Sequence, residues 1–149
     1  MAVLDFYIWR ELVSVVKLFI DGASRGNPGP SGAGVSISNE SRVLYTGSFF
    51  LGTRTNNQAE YQGLISALKK VRAMLGKNKT KQTEVEVRMD SELIVRQMNN
   101  QYKISDEKMQ MKYVEVHNLI LDFKKVTFTH VPREQNKLAD KMVNEVIDA

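Results

Sequence analysis

The run Val15 to Asp21, VVKLFID, sets the frame for this chain. Its near-continuous apolar content predicts a strand buried on both faces, the kind found in helix-covered parallel or mixed sheets. Residues 22–34, GASRGNPGPSGAG, follow at once, and their Gly, Pro, Asn and Ser predict a turn or loop. Gly34 to Ser38 and Arg42 to Leu51 read as two more strands, joined as a hairpin by the short NES segment. Asn56 and Asn57 are candidates to cap a helix on which Tyr61, Leu64, Ile65, Leu68, Val71 and Leu75 keep the helical repeat. Residues 76–82, GKNKTKQ, read as a polar loop. Val85, Val87 and Met89 then alternate with Glu84, Glu86 and Arg88 as a strand.

Ser91 opens a short helix carrying Leu93, Ile94 and Met98, and a further helix is expected over about residues 106–123. Val126 to Val131 is a fifth strand, and Leu138, Met142, Val146 and Ile147 mark a last helix. The expected class is α/β with a five-stranded mixed sheet in the order βββαβααβα. Right-handed crossovers would set strands 1, 4 and 5 side by side and parallel. No repeat, low-complexity stretch or linker divides residues 15–149, which read as one domain. Residues 1–14 stand apart as an N-terminal extension, either an extra helical turn through Leu4, Ile8 and Leu12 or a frayed end.

Composition narrows the chemistry. At 149 residues, 42% hydrophobic and 26% charged, the chain fits one ordinary globular domain. The absence of cysteine excludes a disulfide scaffold, a thiolate zinc site and a Cys nucleophile. With two histidines, any metal has to sit on carboxylates, which suits Mg²⁺ or Mn²⁺ rather than Zn²⁺. No apolar run reaches the roughly 18 residues of a membrane span, and the N-terminus lacks the basic start of a signal peptide, so no membrane partner and a cytoplasmic location are the default expectations. The net charge of +4 favours a polyanionic partner.

In sheets with parallel strands, ligands bind beyond the carboxyl ends of those strands. Asp21 ends strand 1 and Asp90 ends strand 4. Glu60 falls in the first turn of the first helix and Asp140 near the start of the last. Each has an ordinary structural explanation: Asp-Gly is common in turns, and an acid in a first turn complements the helix dipole. Four acids from four distant stretches, converging at one end of a sheet, would repel each other unless cations intervene. A pair of divalent ions resolves that repulsion, and can activate a water and stabilise the leaving oxygen of a phosphodiester.

Four blocks of the chain, DGASRGNPGPSGAG, TRTNNQAEYQGLISAL, MDSELIVRQMNNQYKI and HVPREQNKLADKMVNE, resemble, in order, the motifs of type 1 ribonuclease H. The resemblance covers roughly residues 15–149. It implies the ribonuclease H-like fold and a metal-dependent endonuclease that cuts the RNA strand of an RNA·DNA hybrid. It further implies two Mg²⁺ ions, with Mn²⁺ as a substitute, and products ending in 5′-phosphate and 3′-hydroxyl. Carried over by motif, the catalytic and metal-binding acids are Asp21, Glu60, Asp90 and Asp140. Glu60 would lie near the scissile 2′-hydroxyl. Asn27, Asn56 and Asn57 would contact base edges in the minor groove, and Arg54 with Thr55 would anchor a DNA-strand phosphate.

The chain departs from better-known members in one stretch. Residues 102–113, YKISDEKMQMKY, are too short and too balanced in charge to form the family's basic protrusion, so phosphate affinity should be weaker. His130 stands ten residues before Asp140, the spacing of the family's loop histidine, which would make it catalytic; equally, it fits the end of strand 5, leaving Arg133 or Glu134 nearest that place. His117 reads as a partly buried helix residue. Double-stranded RNA is a further candidate partner, and a monomer is expected. Two other readings stand beside the nuclease: a catalytically weak hybrid-binding module, and the nuclease domain of a reverse-transcriptase-like element. The initial Met1 favours a standalone enzyme over the latter.

Overall fold

The computed structural model describes residues 15–148. The expectations for residues 1–14 lie outside them. Three strands come first: β1 (Val15–Ser24), β2 (Gly29–Ser38) and β3 (Val43–Arg54). Two helices follow, α1 (Asn56–Leu75) and the short α2 (Lys77–Lys81). Then come β4 (Glu84–Met89), α3 (Glu92–Met98), α4 (Glu107–Ile120), β5 (Lys125–His130), a 3₁₀ turn (Arg133–Gln135) and α5 (Lys137–Ile147). The sheet runs β3-β2-β1-β4-β5. β1 pairs antiparallel with β2 and parallel with β4, and β4 pairs parallel with β5, so the expected mixed sheet with strands 1, 4 and 5 side by side is present.

Several boundaries differ from the sequence reading. The Gly-rich stretch is mostly strand: β1 continues to Ser24 and β2 starts at Gly29, leaving only residues 25–28 as a loop. GKNKTKQ contains α2, not a plain loop, and the helix before β5 spans Glu107–Ile120. β1 is not uniformly buried. Val16, Leu18 and Ile20 are fully enclosed, while Val15, Lys17 and Phe19 are half-buried.

The main core lies on one face. Val16, Leu18, Ile20, Val85, Val87 and Met89 of the sheet meet Tyr61, Leu64, Ile65, Leu68 and Val71 of α1. α5 covers the other face. A Cβ on Gly34 would lie 2.0 Å from the Ala139 carbonyl oxygen of α5, whereas one on Gly22 would lie 2.6 Å from the Ala59 carbonyl oxygen of α1. Gly34 pairs with Asp21, so the two share a face, and successive strand residues point to opposite faces. The bare backbone at Gly22 and Gly34 therefore lets one helix approach on each side of β1, immediately beside Asp21.

Candidate active site

Asp21 sits in β1 at the level where its parallel neighbour β4 stops, one residue past the Ile20–Met89 pair, and Asp90 follows Met89 directly. Glu60 is the fifth residue of α1, one place beyond the first turn, which corrects its expected position slightly. The contact at Gly22 explains its placement, because a Cβ there would lie 2.7 Å from the Glu60 Cα. Asp140 lies in the first turn of α5.

The electrostatics of Asp21 show that the four carboxyls share one region. Its pKa is pushed up from 3.8 to about 8, first by burial, then by the negative charge of Asp90, a hydrogen bond with Asp140, and the charges of Asp140 and Glu60. Glu60 is raised to about 7, chiefly by burial and further by Asp90, while a hydrogen bond with the Ser91 side chain pulls the other way. Ser91 also caps α3, its hydroxyl accepting from the Ile94 N–H at 3.4 Å. The acids do not form a closed cage: among the described residues, no three acidic or histidine side chains are arranged to hold one ion. The donor set nevertheless fits hard divalent cations, being all carboxylate oxygen, and the negative charges around Asp21 are ones a cation would offset.

Neighbours hold these acids in place. The Arg133 guanidinium donates to Asp140 Oδ1 at 3.5 Å, and the Asn144 Nδ2 donates to Asp140 Oδ2 at 3.4 Å. The Asn136 Nδ2 donates to Asp90 Oδ1 at 3.2 Å and to the Ile20 carbonyl at 2.9 Å. Asn136 was not among the residues singled out from sequence, although an Asn just ahead of the last helix and four places before Asp140 was a usable signal.

The expected hybrid-binding residues gather beside the acids. The Asn56 N–H donates to Asn27 Oδ1, and the Ser24 N–H donates to Asn56 Oδ1, both at 3.0 Å. The cap of α1 is Thr55, not Asn56 or Asn57: its hydroxyl accepts from the Gln58 N–H at 3.2 Å, and the Gln58 side chain returns a bond to the Thr55 N–H at 3.0 Å. Asn57 lies exposed in the first turn. The Arg54 Nε donates to the Leu51 carbonyl at 2.9 Å. Burial, and after it the Arg54 charge, lower the pKa of Lys112 on α4, so the two cations lie within reach of each other's field.

His130 takes the strand position. It is the last residue of β5, paired with Met89, and the following loop, residues 131–136, contains no histidine. In-register partners share a face, so His130 lies on the Met89 side of the sheet, opposite the face that carries Asp21. Arg133, not a histidine, reaches Asp140 from the loop. His117 is exposed rather than partly buried and stacks on Tyr113 with ring centroids 6.3 Å apart.

The chain and its fold are similar to those of known proteins. A family model described as "Reverse transcriptase-like" matches residues 19–146. The structure of LC11-RNase H1 in complex with an RNA/DNA hybrid is 43% identical, with a TM-score of 0.84, over 89% of this chain and 96% of that one. The chain belongs to the type 1 ribonuclease H family. Within that family, the ribonuclease HI of Halobacterium salinarum is 38% identical over 134 residues, 89% of this chain and 64% of that protein. The bifunctional protein Rv2228c of Mycobacterium tuberculosis is 38% identical over 90% of this chain, which spans only 36% of its length. Among the described residues no helix of this ribonuclease H homologue is long and apolar enough to cross a membrane.

Proposed function

We propose that this chain is an endonuclease that hydrolyses the RNA strand of RNA·DNA hybrids, using two Mg²⁺ ions held by Asp21, Glu60, Asp90 and Asp140. The observation that carries this reading is the placement of the acids: Asp21 lies where β4 stops, Asp90 directly follows Met89, Glu60 is brought in by the close contact at Gly22, and Asp140 lies in the first turn of α5. When bound, a divalent pair activates a water and stabilises the leaving oxygen of an in-line displacement. The chain's own residues supply the rest. Asp21, which lies inside β1 and not at its end, and Asp90, just past the end of β4, present carboxylates at the same level of the sheet, and Asp140 is steadied by Arg133 and Asn144.

Asn27 and Asn56, their oxygens bonded to backbone N–H groups, offer NH₂ donors to the base acceptors of a minor groove. Thr55 accepts the cap bond and keeps its hydroxyl hydrogen for a phosphate, with Arg54 and Lys112 supplying positive charge nearby. Glu60, on the same helix start as Asn56 and one of the four acids, is suited to sense the 2′-hydroxyl of the RNA strand. His130 has no part in this proposal. The intact set of four acids favours a nuclease over a binding-only module.

End chemistry tests it. A hybrid with internally labelled RNA, incubated with protein and Mg²⁺, is expected to give fragments whose 3′ ends a polymerase extends directly. Fragments ending in 3′-phosphate, or cleavage undiminished by EDTA, would refute the two-ion reading.

A further inference from the structure

Asn136 occupies the position that begins α5, yet its side chain makes no capping bond to that helix. The usual reason for an Asn at a helix start is therefore missing. The residue is 1% exposed, and its side chain turns instead toward the acids. Nδ2 donates to Asp90 Oδ1 at 3.2 Å and to the Ile20 carbonyl, one residue before Asp21, at 2.9 Å. Its backbone carbonyl accepts the Asp140 N–H at 3.0 Å. One side chain and its own peptide thus touch the surroundings of three of the four acids.

The orientation comes at the expense of the other end of the amide. Oδ1 of Asn136 is buried without a hydrogen-bond partner. Turning the amide over would aim that oxygen at the Ile20 carbonyl and the Asp90 carboxylate, two acceptors, and lose both donated bonds. The site therefore fixes which way the side chain lies.

We infer that Asn136 is a positioning residue for Asp90: it holds one carboxylate oxygen so that the other is presented to a divalent ion. This rests on the two-ion reading above. A donor to one Oδ restricts rotation of the carboxylate, and outer partners of metal ligands of this kind typically govern about 10–100-fold in metal affinity.

The test is a Mg²⁺ titration of the full chain without substrate, followed through the backbone amide resonances of Asp21 and Asp90. Wild type, Asn136→Ala and Asp90→Asn are compared, with circular dichroism to confirm folding. The expected result is a rise of about tenfold or more in the half-saturating Mg²⁺ for Asn136→Ala, while its affinity for hybrid in EDTA stays within about twofold of wild type. Unchanged Mg²⁺ affinity in folded Asn136→Ala overturns the role of Asn136 alone. If wild type and Asp90→Asn respond to Mg²⁺ alike, the two-ion reading itself falls, and the role of Asn136 with it. Should Asn136→Ala not fold, the side-chain NH₂ resonances of wild-type Asn136 decide: they shift with Mg²⁺, and lose that shift in Asp90→Asn. Resonances unmoved by Mg²⁺ in wild type overturn the inference.

Discussion

Asp21 is a buried carboxyl set among three others, and its protonation couples the site to stability. Unfolded, it releases its proton near pH 3.8; folded and metal-free, it keeps it to about pH 8. Between those values the folded state binds more protons than the unfolded one, so metal-free stability falls as pH rises through that window. Asp21→Asn is therefore expected to melt higher than wild type in EDTA at pH 8, with the gap closing toward pH 4. Each kcal/mol relieved is worth about 2–4 °C in a chain of this size. Scanning calorimetry of both proteins across that range checks it, and an Asp21→Asn that melts lower than wild type at pH 8 would contradict it. The neighbourhood of the four acids was legible because Gly, Ser and the onset of apolar periodicity mark where elements change, although β1 runs on past Asp21 to Ser24. Asn136 is marked in the sequence only by its place ahead of the last helix; that its side chain turns away from that helix is visible only in the structure.

Two glycines decide how closely the helices approach β1. A Cβ at Gly22 would strike the backbone of α1 beside Glu60, and backbone cannot swing aside as a long side chain can. Gly22→Ala is expected to cost about 1–3 kcal/mol by overpacking and to lower cleavage at least tenfold by displacing Glu60. Gly76→Ala is the control: its φ of 79° with ψ of 166° strains an alanine by about 1–3 kcal/mol, but its Cβ meets nothing within 4 Å, so the rate per folded molecule should be unchanged. Chemical denaturation and initial rates on hybrid separate the two, and a fully active Gly22→Ala would show that α1 need not sit this close. The same close approach explains why residues 22–34 misread as loop. Glycine signals a turn by default, and small residues carry no alternation, yet here they form strand because helices press on both faces. α2 was hidden for the opposite reason: only Thr80 of its five residues is buried, so no apolar period marks it. The Thr55–Gln58 capping box, by contrast, was written in the sequence as T-N-N-Q.

Across the whole chain, charge is modest at +4, and the eight residues between α3 and α4 hold no helix to carry a basic protrusion. Each phosphate contact contributes about 0.9 to the slope of log affinity against log salt. The slope for hybrid binding in Ca²⁺, measured by fluorescence anisotropy, is therefore expected to be shallower than that of a protrusion-bearing relative measured alongside. An equal or steeper slope would mean that Arg54, Lys112 and their neighbours make up the missing contacts. The order of elements and the sheet were readable at this level because hydrophobic pattern and crossover handedness leave few alternatives. The place of His130 was readable only as two alternatives, since spacing to Asp140 counts residues while strand pairing with Met89 fixes where the strand ends and selects the strand position. The central claim is hybrid-specific, metal-dependent cleavage by the four acids, and one gel tests it. RNA·DNA, RNA·RNA and DNA·DNA duplexes are incubated with wild type or Asp90→Asn, each with Mg²⁺ or EDTA. Wild type with Mg²⁺ is expected to cut the RNA strand of RNA·DNA, with no cutting in EDTA and less than about a tenth of that rate for Asp90→Asn. An intact hybrid in the wild-type Mg²⁺ lane, or full activity of folded Asp90→Asn, would contradict it.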